Sequence, residues 1–168
     1  MNNHLTLACR LLLAFAGTML CLQAFADRAA ADAFQLVSPI PSSARVERAI
    51  AYQVNTQAAR HWGVTPASFV STGGIPVSVV PAAVESQSCP GVEACHLWTP
   101  LHGASILLTA GLPWRAETTL LSHEMIETEI DETFSSTVNG LPAEVSDPVQ
   151  NSAYQIDGVW VSDYVFPR

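Results

Sequence analysis

Apolar positions along this chain change period several times, and each change marks an element. After Ser42 and Ser43, both good N-cap residues, Val46, Ala49, Ile50, Val54, Ala58 and Trp62 recur at helical spacing. Gly63 stands where the helix should end, so a helix is expected over about 44–61. Residues 27–42 ahead of it are rich in Ala and carry no period, and they read as a flexible lead-in. Pro76–Val84 is short, β-branched and bounded by Gly73-Gly74 and by a Ser/Cys/Pro cluster, which predicts a strand. Ser105–Thr109 predicts a second, buried strand. Thr118 or Thr119 then opens a second helix, from about Leu120 to Phe134. A polar loop around Asn139-Gly140 follows. In Ala153–Tyr164 the pair Asp157-Gly158 separates Tyr-Gln-Ile from Val-Trp-Val, which predicts a hairpin. The order helix, strands, helix, hairpin is that of an α+β domain.

The N-terminus departs from this pattern. Met1–Arg10 is polar with one cation at its end, Leu11–Ala26 is almost wholly apolar, and Ala24-Phe25-Ala26 precedes Asp27. A basic edge, an apolar stretch and a small-x-small site describe a signal peptide over 1–26. The rival is a retained anchor, but the uncharged stretch falls short of the ~20 residues that span a bilayer. Leu20 before Cys21 argues against a lipoprotein. Cleavage would leave a secreted or periplasmic chain, with the lead-in at 27–42 and a single domain at 43–168, and no stable membrane insertion.

Charge narrows the partners. Seven Arg oppose fifteen acids, and there is no Lys. Nucleic acid and anionic membranes both need clustered cations, so neither is expected as a partner. Beyond the leader, Cys89 and Cys95 remain, in Cys-Pro-Gly-Val-Glu-Ala-Cys. In an oxidising compartment a disulfide closing this ring is the default, and a metal site made by the two thiols is the rival.

The segment that carries candidate chemistry is Ser122-His123-Glu124-Met125-Ile126-Glu127, followed by Thr128-Glu129-Ile130-Asp131. Residues four apart on a helix stack on one face, so His123, Glu127 and Asp131 align, with Glu124 at the edge of the arc. Leu120, Ile130 and Phe134 share that face, which suggests that it points inward, where charges need partners or a cation. An imidazole and a carboxylate one turn apart can clasp zinc, and the Glu beside the His can take a proton from water. Here Glu127 replaces the second His of His-Glu-x-x-His. The plainer reading is an acidic, solvated helix face. A second acidic run, Ala143-Glu144-Val145-Ser146-Asp147-Pro148, could return over the helix and supply a third ligand, or could be a loop with two solvated acids. His96, beside the cysteine ring, could be a further ligand or a transition-state donor; a surface or packing histidine is the plainer reading. His61 and His102 read as structural. No Walker-type phosphate loop and no Gly-x-Ser-x-Gly elbow occurs.

These residues resemble a little-characterised group of bacterial and phage proteins with Ser-His-Glu-x-x-Glu, an acid four residues later, Glu-x-x-Asp-Pro, and an ending like Tyr-x-Ile-x-Gly-Val-x-Val-Ser-Asp-Phe/Tyr-Val-x-Pro. Here these are Ser122–Glu127, Asp131, Glu144–Pro148 and Tyr154–Pro167. The helical stretch is also similar to that of plant Exordium-type secreted proteins. The resemblance implies a zincin-like domain with a small sheet, a motif-bearing helix and a C-terminal hairpin. It departs at Asp131-Glu132, where the group has Asp-Pro.

The expected function is that of an exported zinc-dependent, peptidase-like hydrolase acting on a peptide or protein substrate. His123, Glu127 and Glu144 would hold the metal and Glu124 would be the general base, with Asp131, Asp147 and His96 as further candidate ligands. The alternatives are a non-enzymatic secreted domain with a structural calcium or zinc site, or a degenerate peptidase fold that binds a partner. An oxygen-only set favours calcium, and a His with carboxylates favours zinc.

Overall fold

The helical spacing after Ser42-Ser43 produces helix α1, which begins as Ser43–Tyr52, widens into a π-helical segment Gln53–Ala58 and closes as Ala59–Trp62. Gly63 ends it in the left-handed conformation, φ 68°, where a residue without a Cβ is unstrained. Ser42 occupies the N-cap position but makes no side-chain capping bond. The computed structural model describes residues 33–38, 40–63, 66–134, 137–138, 141–142 and 144–166, all within the compact unit Asp32–Arg168. The apolar leader and its cleavage site at Ala26-Asp27 lie outside the described residues. Among the described residues no helix is long and apolar enough to cross a membrane.

Strands β1 (Ala33–Leu36), β2 (Ser68–Phe69), β3 (Ile75–Val80), β4 (Ala94–Thr99) and β5 (Gly103–Thr109) form one sheet in the order β2-β1-β3-β5-β4. All neighbours run parallel except β4, which pairs antiparallel with β5 at the edge. Helix α2 (Ala82–Ser88) joins β3 to the Cys89–Cys95 ring. Helix α3 (Trp114–Asp131) follows β5 and carries the His-Glu-x-x-Glu segment. Two small antiparallel pairs complete the chain: β6 (Thr137–Val138) with β7 (Leu141–Pro142), and β8 (Ala153–Ile156) with β9 (Val159–Ser162). The architecture is a mixed α+β one.

Several expectations need correction. Residues 33–36 are not lead-in but β1, placed between β2 and β3; Phe34 is fully buried and pairs with Ile75. The expected 76–84 strand is extended only as far as Val80, in β3, which begins one residue earlier at Ile75, because Pro81 takes the N-cap position of α2. The second helix begins at Trp114, after Pro113, rather than near Leu120, and it stops at Asp131 rather than Phe134. Strand β4 lies in residues to which the sequence pattern assigned no element. The Asp157-Gly158 hairpin forms as expected, with both residues at positive φ (53° and 73°), as a type I′ turn requires. Asn139-Gly140 lies outside the described residues.

Helix α3 packs against β4 and β5 and also against β9. Leu121 through Glu129 are buried without a break, which is more than two turns and so covers every side of the helix. Leu121, Met125 and Ile126 join Ile106, Leu108, Val159 and Val161 in the core. The polar side chains in this run therefore have to find partners within the protein.

Candidate metal centre

On the arc of α3 away from Leu121 and Met125, His123, Glu124, Glu127 and Asp131 all lie within about 100° of turn, at 100° per residue. All four are buried. Ser122, the first residue of the motif, points elsewhere. Its hydroxyl donates to Gln53 Oε1 (2.8 Å) and accepts from the Ser162 amide (2.9 Å). Gln53 Nε2 donates to Ser162 O (2.6 Å) and to Tyr154 Oη (3.0 Å). This buried network joins α3, the π segment of α1 and β9, and it holds the axial rotation of the motif helix.

Among the described residues, two groups of metal-capable donors converge on the acidic arc, each with its donor atoms within 4.8 Å of one another. The first is His123, Glu127 and Asp147. His123 Nε2 lies 3.2 Å from Glu127 Oε2 and 3.3 Å from Asp147 Oδ1. Asp147 comes from the downstream acidic run, which folds back onto the helix. The Ser146 amide donates to Glu127 Oε1 at 3.0 Å, and the Val165 amide donates to Val145 O at 2.8 Å. The second group is His96, Glu124 and Glu127. His96 is opposite Ile106 in the β4–β5 ladder, so its ring projects from the same sheet face as Ile106. Its Nδ1 lies 3.5 Å from Glu124 Oε2, and the ring stacks on Phe134 at 4.2 Å.

The electrostatics follow from this crowding. Burial lowers the pKa of His123, but bonding to Glu127, together with the charges of Glu127, Glu124 and Asp147, outweighs it and leaves His123 pushed up to about 8. Burial likewise lowers His96, and Glu124 and the Glu144 charge more than reverse it. Glu144 is pushed up to about 7 by burial and by the Glu127 charge, so as an acid it donates a hydrogen bond to Glu127. Glu127 itself is held low despite its burial, by His123 and by the bonds it accepts from Ser146 and Glu144.

The expected site residues thus fall into distinct places. His123, Glu127 and Asp147 come together, and Glu124 sits beside them, facing His96. Glu144 touches the cluster through Glu127 but belongs to neither donor group, and Asp131, buried on the last turn, belongs to neither. Phe134 is not on the inward helix face: it lies beyond the helix end at φ 53°, is 42 % exposed, and covers His96. His96 is not at the surface. The signal that would have placed it is the run Ala94-Cys95-His96-Leu97-Trp98-Thr99, a strand whose alternate residues Ala94 and His96 are buried. Cys89 and Cys95 are bonded, with their Cα atoms 6.3 Å apart.

The donor set fits a transition metal better than calcium, because each group contains an imidazole. Ligand atoms about 2.0–2.1 Å from a tetrahedral zinc lie roughly 3.3 Å from one another. The separations of 3.2 and 3.3 Å around His123 are compatible with that edge length and equally with a direct imidazole–carboxylate ion pair. Comparison with protein-family models, with curated proteins and with solved structures finds no match for this chain.

Proposed function

We propose that this chain is an exported, zincin-like metallohydrolase that cleaves peptide bonds. His123, Glu127 and Asp147 would hold a zinc ion, with Asp147 in the place that the spacing had suggested for Glu144. The observation that carries the reading is the approach of His123 Nε2 to two carboxylates from separate segments at the edge length of a zinc tetrahedron. Export rests on the N-terminal sequence and is compatible with the Cys89–Cys95 bond.

The cation would supply a Lewis acid that polarises a carbonyl and lowers the pKa of water. Glu124, next to His123 on the helix, would accept the proton of the attacking water and return it to the leaving amine. Burial among β4, β5 and β9 limits competing solvent. Strand β4 is one of the two edge strands of the sheet, β2 being the other, and it carries His96 beside Glu124. An extended peptide can add to such an edge by main-chain hydrogen bonds, which would lay its backbone along the centre.

Zinc uptake and hydrolysis of dye-labelled casein test the reading together. Wild-type protein should cleave casein in a zinc-dependent manner that chelator abolishes. Glu124→Gln should keep the zinc held by His123 and lose ~10²–10⁴-fold in turnover, since it removes the proton acceptor at constant size. Zinc uptake indifferent to both His123→Ala and Asp147→Ala would refute the assignment.

A further inference from the structure

We infer that the centre takes two divalent cations, the second held by His96 and Glu124 and joined to the first through Glu127. This extends the metal reading above and rests on it. The two donor groups share one residue, Glu127, which is 2 % exposed. An ionised carboxylate has about four lone-pair positions, so Glu127 can accept from Ser146 and still bridge two ions.

Two observations carry the second site. His96 Nδ1 and Glu124 Oε2 are 3.5 Å apart, near the roughly 3.3 Å between two ligand atoms of one tetrahedral zinc. His96 is only 6 % exposed, and its other nitrogen, Nε2, has no hydrogen-bond partner among the described residues. What points to the site is the grouping itself: the donor atoms of His96, Glu124 and Glu127, all buried, lie within 4.8 Å of one another.

The ligand role does not remove Glu124 from proton transfer. With Oε2 on the second cation, Oε1 still has lone pairs to accept a proton. Two cations a few ångströms apart would also grip the attacking and leaving groups together, as two-metal hydrolytic sites do. Phe134, stacked on the His96 ring, shields that side of the second site from solvent.

Zinc stoichiometry decides the matter without any substrate. The full exported chain, stripped of metal and shown to melt cooperatively, is titrated with zinc by calorimetry and weighed by native mass spectrometry. Wild-type protein should bind two zinc ions. His96→Ala and the isosteric Glu124→Gln should each bind one, and that remaining ion should be lost on adding His123→Ala. Manganese supplies an independent readout: a bridged pair gives an exchange-coupled electron paramagnetic resonance spectrum, and the His96→Ala variant should give that of an isolated ion. One zinc in wild-type protein, retained in His96→Ala, overturns the second site and leaves the first standing. Two zinc ions that persist in both single variants place the second ion elsewhere and overturn it equally. No zinc at all overturns both readings.

Discussion

Among single residues, His123 is where protonation and the proposed metal would compete for one atom. In the folded, metal-free protein Glu144 is raised from 4.5 to about 7 and His123 from 6.5 to about 8. Between about pH 4.5 and 8 the native state therefore holds more protons than the unfolded chain, and stability falls as pH rises through that window. Glu127, held below its ordinary value, acts in the opposite direction, and its contribution is lost as the solution is acidified below about 4.5. Urea midpoints measured in chelator should accordingly decline from pH 5 to pH 8.5. Zinc at the proposed site would displace the His123 proton, so its affinity should climb as the pH rises towards about 8. A metal-free midpoint that rises across this interval would contradict the packing of His123 and Glu144 described above.

For the elements, α3 is the part on which the others converge, and its rotation is held by polar contacts more than by an apolar stripe. Nine consecutive buried residues leave no solvent face to orient it. The Ser122–Gln53–Ser162 network supplies that orientation from the side opposite the acidic arc. Ser122→Ala leaves the Ser162 amide and Gln53 Oε1 each without this partner. The expected cost is about 1–3 kcal/mol for a buried group so orphaned. Urea unfolding should register that loss, and zinc stoichiometry should stay unchanged, because Ser122 touches no proposed ligand. A variant as stable as wild type would mean that water or a rotamer change replaces the network. The π segment of α1 belongs to the same argument, since it is the turn that presents Gln53 inward to α3.

Over the whole molecule, distant parts of the chain are tied to one centre. The Cys89–Cys95 bond joins the end of α2 to the start of β4, one residue before His96. At the C-terminal end, Tyr164 Oη meets His61 Nδ1 at 3.0 Å and the Trp62 indole donates to Val165 O at 2.9 Å, which anchors the chain beyond β9 to α1. Replacing both cysteines by serine should cost on the order of 2 kcal/mol by the loop-entropy relation for so short a ring. It should also loosen the start of β4, so zinc affinity at His96 should weaken more than at His123. Urea unfolding and calorimetry of the double variant check both parts; equal weakening at the two positions would show that the ring does not position His96.

The features that the sequence by itself determined are those encoded by neighbouring residues. Helix α1 ends at Gly63, the hairpin turns at Asp157-Gly158, and His123 and Glu127 align one turn apart, because local backbone preference and the helical repeat need no distant partner. The ring closed by Cys89 and Cys95 belongs with them. Tertiary structure decided the rest. Residues 33–36 carry no period long enough to read, and they become β1 only because β2 and β3 offer their edges. His96 and Asp147, separated from α3 in sequence, reach it through the β4–β5 ladder and through the return of residues 144–149. A charged side chain in a sequence defaults to solvent, since burying it unpaired is costly. Here each buried acid of the two donor groups faces an imidazole or an amide supplied from another turn or segment, and no local pattern could have announced those partners.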